Sequence, residues 1–186
     1  MTGNTIFLFE YITGGGFNHF DIPASLFCEG FGMLKSLIND FHELNFDIFT
    51  LIDERIVNLS ETLPINFHVV KKEDDFLSKY REELRKHDYC LIIAPEFNNI
   101  LYNLTKIVIS NKKKLLSIGL EGIKKGTSKI ETFQYFHNNS LPTPPTYRIP
   151  SYENRLEKNF LIKKLKEFGT IIVKPEDGVG TESILF

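Results

Sequence analysis

Lys174 ends an apolar run, Thr170-Ile171-Ile172-Val173-Lys174, and is followed by Pro175-Glu176-Asp177-Gly178-Val179-Gly180-Thr181. A lysine pointing off a strand can hold phosphate oxygens while a glycine loop folds over them. The same spacing also fits an ordinary hairpin with glycine at positive φ. A second lysine, Lys129, follows Ser128 at the start of a helical pattern, where a solvated side chain is the common case. Gly14-Gly15-Gly16 follows the first apolar run and could let backbone N–H groups approach an anion. Asp53 stands where a dinucleotide fold places its ribose-binding acid. The GxGxxG spacing is absent, however, because Phe17, Asn18 and His19 come next. The triplet reads equally as a tight turn or a substrate loop. Glu10 and Glu96 lie at or just past strand ends, on the edge where open α/β sheets bind ligands, and suit either a substrate amine or a capping role. His19, His42, His68, His87 and His137 form no metal-ligand spacing, and neither do Cys28 and Cys90, which read as small core residues. No metal site is expected in this chain.

These residues need elements to position them. Ile6 to Tyr11 reads as a buried strand, and Pro23 to Leu44 as a long helix with an apolar stripe through Leu26, Gly30, Met33, Leu34, Leu37, Ile38, Phe41 and Leu44. Phe46 to Ile52 and Ile65 to Val70 read as strands, and Phe76 to Lys86 as a helix. Tyr89 to Ala94 reads as a strand buried on both faces, Ile100 to Ser110 as a helix and Leu115 to Ile118 as a short strand. Apolar strands alternating with helices predict an α/β layer with a parallel sheet. Past Gly119, Ser128-Lys129-Ile130-Glu131 has capping-box form and predicts a helix from Lys129 to His137. Leu141 to Thr146 is a proline linker. Tyr147 to Ile149 is a strand candidate, Tyr152 to Phe168 a helix closed by Gly169, and Thr170 to Lys174 a strand. Ser183 to Phe186 starts a return strand.

The chain has 186 residues, 42% of them apolar, enough for one full domain and part of another. Its formal charge of −2 offers no basic field for nucleic acid. No run approaches the roughly 18 apolar residues of a membrane helix, and no secretory leader is recognisable, so a cytoplasmic location is expected.

The tail GIKKGTSKIETFQYFHNNSLPTPPTY and IIVKPEDGVGTESI resembles the ATP-grasp superfamily. That family shows a D-K-x-x-(T/F) helix, a P-T-P strand entry and a V-K-P strand before a glycine loop. The resemblance implies that Lys129 and Lys174 contact ATP phosphates, with Gly178, Val179 and Gly180 as the closing loop. Ser128 stands where the family usually has Asp. FEYITGGGF, IPASLFCEGFGMLKSLINDF and APEFNNIL are similar to a subgroup of archaeal and methylotroph ATP-grasp proteins that includes a ligase of methanofuran biosynthesis.

The resemblance implies a Rossmann-like pre-ATP-grasp domain over residues 1–122 and an incomplete α+β ATP-grasp lobe over residues 123–186. It further implies ATP and Mg²⁺ as cofactors, with the Mg²⁺ ligands lying beyond this chain. The implied chemistry is an acyl-phosphate route joining a carboxylate such as glutamate to an amine such as tyramine. Glu10, Gly14, Gly15, Gly16 and Glu96 are the implied substrate-side residues, and pairing as a homodimer is implied. A non-catalytic interaction module and a nucleotide-binding Rossmann-like domain remain as alternatives.

Overall fold

The computed structural model describes residues 5–152 and 155–176. The chain divides into two compact units, 1–123 and 124–186.

The first unit is built on five parallel strands in the order β3-β2-β1-β4-β5. They are β1 (Thr5–Glu10), β2 (Asp47–Asp53), β3 (Asn66–Val70), β4 (Tyr89–Ile93) and β5 (Lys114–Leu115). Helix α1 (Ala24–Glu43) links β1 to β2, and the short α2 (Val57–Ser60) precedes β3. Helices α3 (Phe76–Lys86) and α4 (Ile100–Ser110) flank β4, and α5 (Leu120–Thr127) closes the unit. The apolar alternation in β1 sorts its side chains between two cores. Ile6 and Leu8 pack with Leu34 and Ile38 of α1 and with Ile48 and Ile52 of β2. Phe7 and Phe9 pack with Tyr80 and Leu84 of α3 and with Leu104 and Val108 of α4. Both faces of the sheet are therefore covered, as a parallel sheet requires.

Three readings of the sequence need correction in this unit. The strand expected at Leu115 to Ile118 is only Lys114–Leu115, because β5 is an edge strand with β4 as its sole neighbour. The covering of β4 is uneven: Cys90 and Ile92 are buried, whereas Tyr89, Leu91 and Ile93 are half-buried. Cys28 is exposed on α1, so only Cys90 is a core thiol. An apolar helix carries residues outside its buried stripe, and Cys28 lies off the Gly30, Leu34, Ile38 line.

The second unit holds α6 (Lys129–Asn138), a short antiparallel pair of β6 (Ser151–Tyr152) with β7 (Arg155–Leu156), and α7 (Lys158–Phe168). Tyr147 to Ile149 is not a strand. The helix expected from Tyr152 begins only at Lys158, after the small antiparallel pair. It ends as expected at Gly169, whose φ of 77° an L side chain would resist. The run 170–174 makes a single bridge at Val173 rather than a strand, since no described neighbour continues the ladder. Among the residues whose burial is described, none past Ile123 is fully buried. Tyr135, Leu165, Phe168 and Ile172 instead expose large apolar surfaces.

Candidate functional site

Strands β1 and β4 are the sheet's switch point, with β2 and β3 laid to one side and β5 to the other. Open α/β sheets place ligands off the carboxyl ends of such strands. Glu10 pairs with Ile93 across the two strands, and the Tyr11 N–H donates to the Ile93 carbonyl at 2.9 Å. The Gly14 to Gly16 loop and the Ala94 to Asn99 turn thus leave the sheet side by side.

The loop after β1 is held from three directions. Glu10 is 1% exposed. Its Oε1 accepts from the Ile12 N–H at 3.0 Å, and its Oε2 accepts from the Thr13 N–H and hydroxyl, both at 2.7 Å. Burial raises the Glu10 carboxyl above its ordinary value, and these donors oppose the rise. Asp53, equally buried, receives Nε of Arg55 at 2.8 Å and Nη2 at 2.6 Å. Arg55 also donates to the carbonyls of Phe17 and Phe20 at 2.9 and 2.8 Å, tying β2 to the loop. The Asn18 amide donates to the carbonyls of Lys71 and Asp74, tying the loop to the segment after β3.

This geometry separates the alternatives left open by the sequence. The Gly14 and Gly16 N–H groups donate to the Glu10 and Tyr11 carbonyls, both at 2.8 Å, so neither faces an anion. Gly15 has φ +94° and sits against Val70, where no side chain would fit. Asp53 is committed to Arg55. The triplet makes a tight turn in which the Gly14 and Gly16 amides are turned inward, and Glu10 holds that turn. Glu96 is half-buried at the head of a 3₁₀ turn, Phe97–Asn99, and makes no side-chain capping bond there.

In the second unit the start of α6 meets the segment that follows Lys174. Ser128 caps α6, its Oγ accepting from the Glu131 N–H at 3.3 Å. The Lys129 N–H donates to the Glu176 carbonyl at 3.1 Å, and Lys129 Nζ makes a long contact of 3.5 Å to the same oxygen. Lys174 is exposed and lies two residues before Glu176, within about 7 Å of chain. Glu176 Oε1 accepts from Arg148 Nη2 at 2.6 Å and from the Ser128 hydroxyl at 2.8 Å. Arg148 and then Ser128 lower the Glu176 carboxyl from its ordinary value. Gly178, Val179 and Gly180 lie outside the described residues. Sequence reasoning missed Arg55 and Arg148, both of which look like ordinary surface arginines in the sequence. A carboxylate two residues before Arg55 was the available signal for the first, and nothing local marks the second.

Residues 46–123 match the pre ATP-grasp 3 domain family. That match falls within the first unit. The chain is 30% identical over 177 residues to a tyramine–L-glutamate ligase of Methanocaldococcus jannaschii, an alignment covering 88% of this chain and 56% of that protein. It is 31% identical to the tyramine–L-glutamate ligase of Methanocaldococcus fervens, covering 87% of this chain and 58% of that one. A solved ATP-grasp superfamily protein from Archaeoglobus fulgidus superposes with a TM-score of 0.62 at 27% identity, covering 79% of this chain and 43% of its own. The chain thus resembles ATP-grasp ligases along most of its length, and it spans a little over half the length of the curated relatives it matches.

Proposed function

We propose that this chain is part of an ATP-dependent carboxylate–amine ligase. The observation that carries the reading is the meeting of α6 with the segment after Lys174, where the Lys129 N–H and Nζ both face the Glu176 carbonyl. That meeting supports assigning two lysines from segments far apart in sequence to one region. Lys129 extends from the first turn of a ten-residue helix, whose N-terminal end carries partial positive charge and favours phosphate. Lys174 adds a second cation, solvent-exposed and open to a ligand. Gly178, Val179 and Gly180, outside the described residues, are the ones we assign to excluding water over the phosphates.

ATP would transfer its γ-phosphoryl group to the substrate carboxylate with release of ADP; the amine nitrogen would then attack the acyl carbon, expelling inorganic phosphate and giving up a proton as the amide forms. Lys129 and Lys174 hold and neutralise the phosphate oxygens during that transfer. Among the described residues no group of three or more His, Cys, Asp or Glu is placed to hold a metal ion. Glutamate and tyramine are the proposed substrates, because both similar archaeal proteins are ligases for that pair. On the first unit, Glu96, which makes no side-chain capping bond, is the residue we assign to the substrate-side edge. No helix among the described residues is long and apolar enough to cross a membrane.

The test is calorimetric titration with Mg·ATP of the wild type, Lys129→Ala and Lys174→Ala. Saturable binding weakened in both variants supports the reading. Binding that both variants retain at full strength overturns the assignment of the lysines.

A further inference from the structure

The first N–H groups of a helix have no partner within it. In α6 they are satisfied from outside: Lys129 donates to the Glu176 carbonyl and Glu131 to the Ser128 hydroxyl. The first of these partners lies 47 residues further along the chain. The Glu176 side chain is gripped at the same place, with its Oε1 taking Arg148 Nη2 at 2.6 Å and the Ser128 hydroxyl at 2.8 Å. Three parts of the second unit therefore converge on one residue: the start of α6, the end of the proline linker and the segment that carries Lys174. Among these contacts Arg148 makes the only ion pair with Glu176.

We infer that Arg148 is a positioning residue: its ion pair with Glu176 fixes the Lys174-Pro175-Glu176 segment on the N-terminus of α6 and so sets Lys174 beside Lys129. Arg148 itself touches no reacting group. It is well exposed, at 69%, and acts through the charge it presents to Glu176. Ser128 donates to the same carboxylate oxygen but brings no positive charge of its own. The consequence for nucleotide binding rests on the ligase reading above, whereas the consequence for the segment does not.

Two readouts keep these apart. Hydrogen exchange of the Lys129 amide, followed by NMR, reports whether the Glu176 carbonyl stays in place, with no nucleotide needed. Mg·ATP affinity reports whether the placement matters to the site. Arg148→Ala is expected to speed Lys129 exchange by about 2–5-fold, the size an exposed ion pair allows, and to weaken Mg·ATP by a similar factor. Arg148→Lys keeps the charge and should recover most of both. Arg148→Ala combined with Glu176→Gln should do no more than either change alone, because both remove one interaction. Lys129 exchange unchanged in Arg148→Ala overturns the inference whether or not the wild type binds nucleotide. Faster exchange with unchanged Mg·ATP affinity overturns the link to the site. A wild type that does not bind Mg·ATP removes the ligase reading, and the exchange result alone then decides the positioning role.

Discussion

Gly30 and Gly32 sit two residues apart in α1, and the structure gives them opposite responses to the same change. Glycine inside a helix is less stable than alanine by about 0.8–1 kcal/mol, so Gly→Ala ordinarily stabilises. At Gly32 an added Cβ meets nothing within 4 Å, and Gly32→Ala should stabilise by about 0.5–1 kcal/mol. At Gly30 the same Cβ lies 2.8 Å from the Glu10 carboxyl carbon and from both of its oxygens. Glu10 has no freedom to retreat, because its oxygens accept the Ile12 N–H, the Thr13 N–H and the Thr13 hydroxyl at 3.0, 2.7 and 2.7 Å. Either the helix shifts, a strain of about 1–3 kcal/mol, or a bond to a buried carboxylate is lost at about 1.5–3 kcal/mol. After subtracting the gain in propensity, Gly30→Ala should bring no stabilisation and cost up to about 2 kcal/mol. Urea unfolding of the two variants beside the wild type measures both signs. Equal stabilisation by both substitutions would refute the close packing of α1 on Glu10, and with it the account of how the loop after β1 is held.

Removing Arg55 strips Asp53 of its guanidinium partner and frees two loop carbonyls, so Arg55→Ala should cost about 2–3 kcal/mol in urea unfolding. The two thiols should behave differently toward a thiol reagent. Cys28 is exposed and reacts in the native protein, whereas burial pushes Cys90 up to about 12 and keeps it unreactive until denaturant is added. Two equivalents labelled rapidly in the native state would contradict this. Arg148 holds the Glu176 carboxyl below its ordinary value of 4.5. The contribution of that contact is therefore complete above about 4.5 and is lost as pH falls through the lowered value. An acid titration should show Lys129 amide exchange, corrected for its intrinsic pH dependence, speeding only below that range.

The parallel sheet was legible because strands covered on both faces leave near-continuous apolar runs, and IFLFEY and YCLII are such runs. Helices α3 and α4 fall on Phe76–Lys86 and Ile100–Ser110, the limits their periodicity predicts. The helix expected from Tyr152 came out too long, since a two-residue strand pair carries no periodic signal to separate it from a following helix. Helix α5, at Leu120–Thr127, was hidden for a related reason: its glycines and lysines read as a change of texture rather than as an element. At the sheet edge the residue types were right and the roles were not decidable from sequence. Glu10 and the glycines stood out, but whether the glycine amides face solvent or the Glu10 and Tyr11 carbonyls depends on backbone torsions that spacing does not encode. Arg148 could not be found by spacing because its partner is 28 residues away and nothing local requires it.

The central claim is that Lys129 and Lys174 serve one phosphate site, and titration with Mg·ATP of the wild type beside Lys174→Ala tests it most directly. The account predicts saturable binding by the wild type that Lys174→Ala weakens at least tenfold, the loss of a charge-assisted contact of about 1.4 kcal/mol or more. Equal Mg·ATP affinity in the two proteins would contradict it.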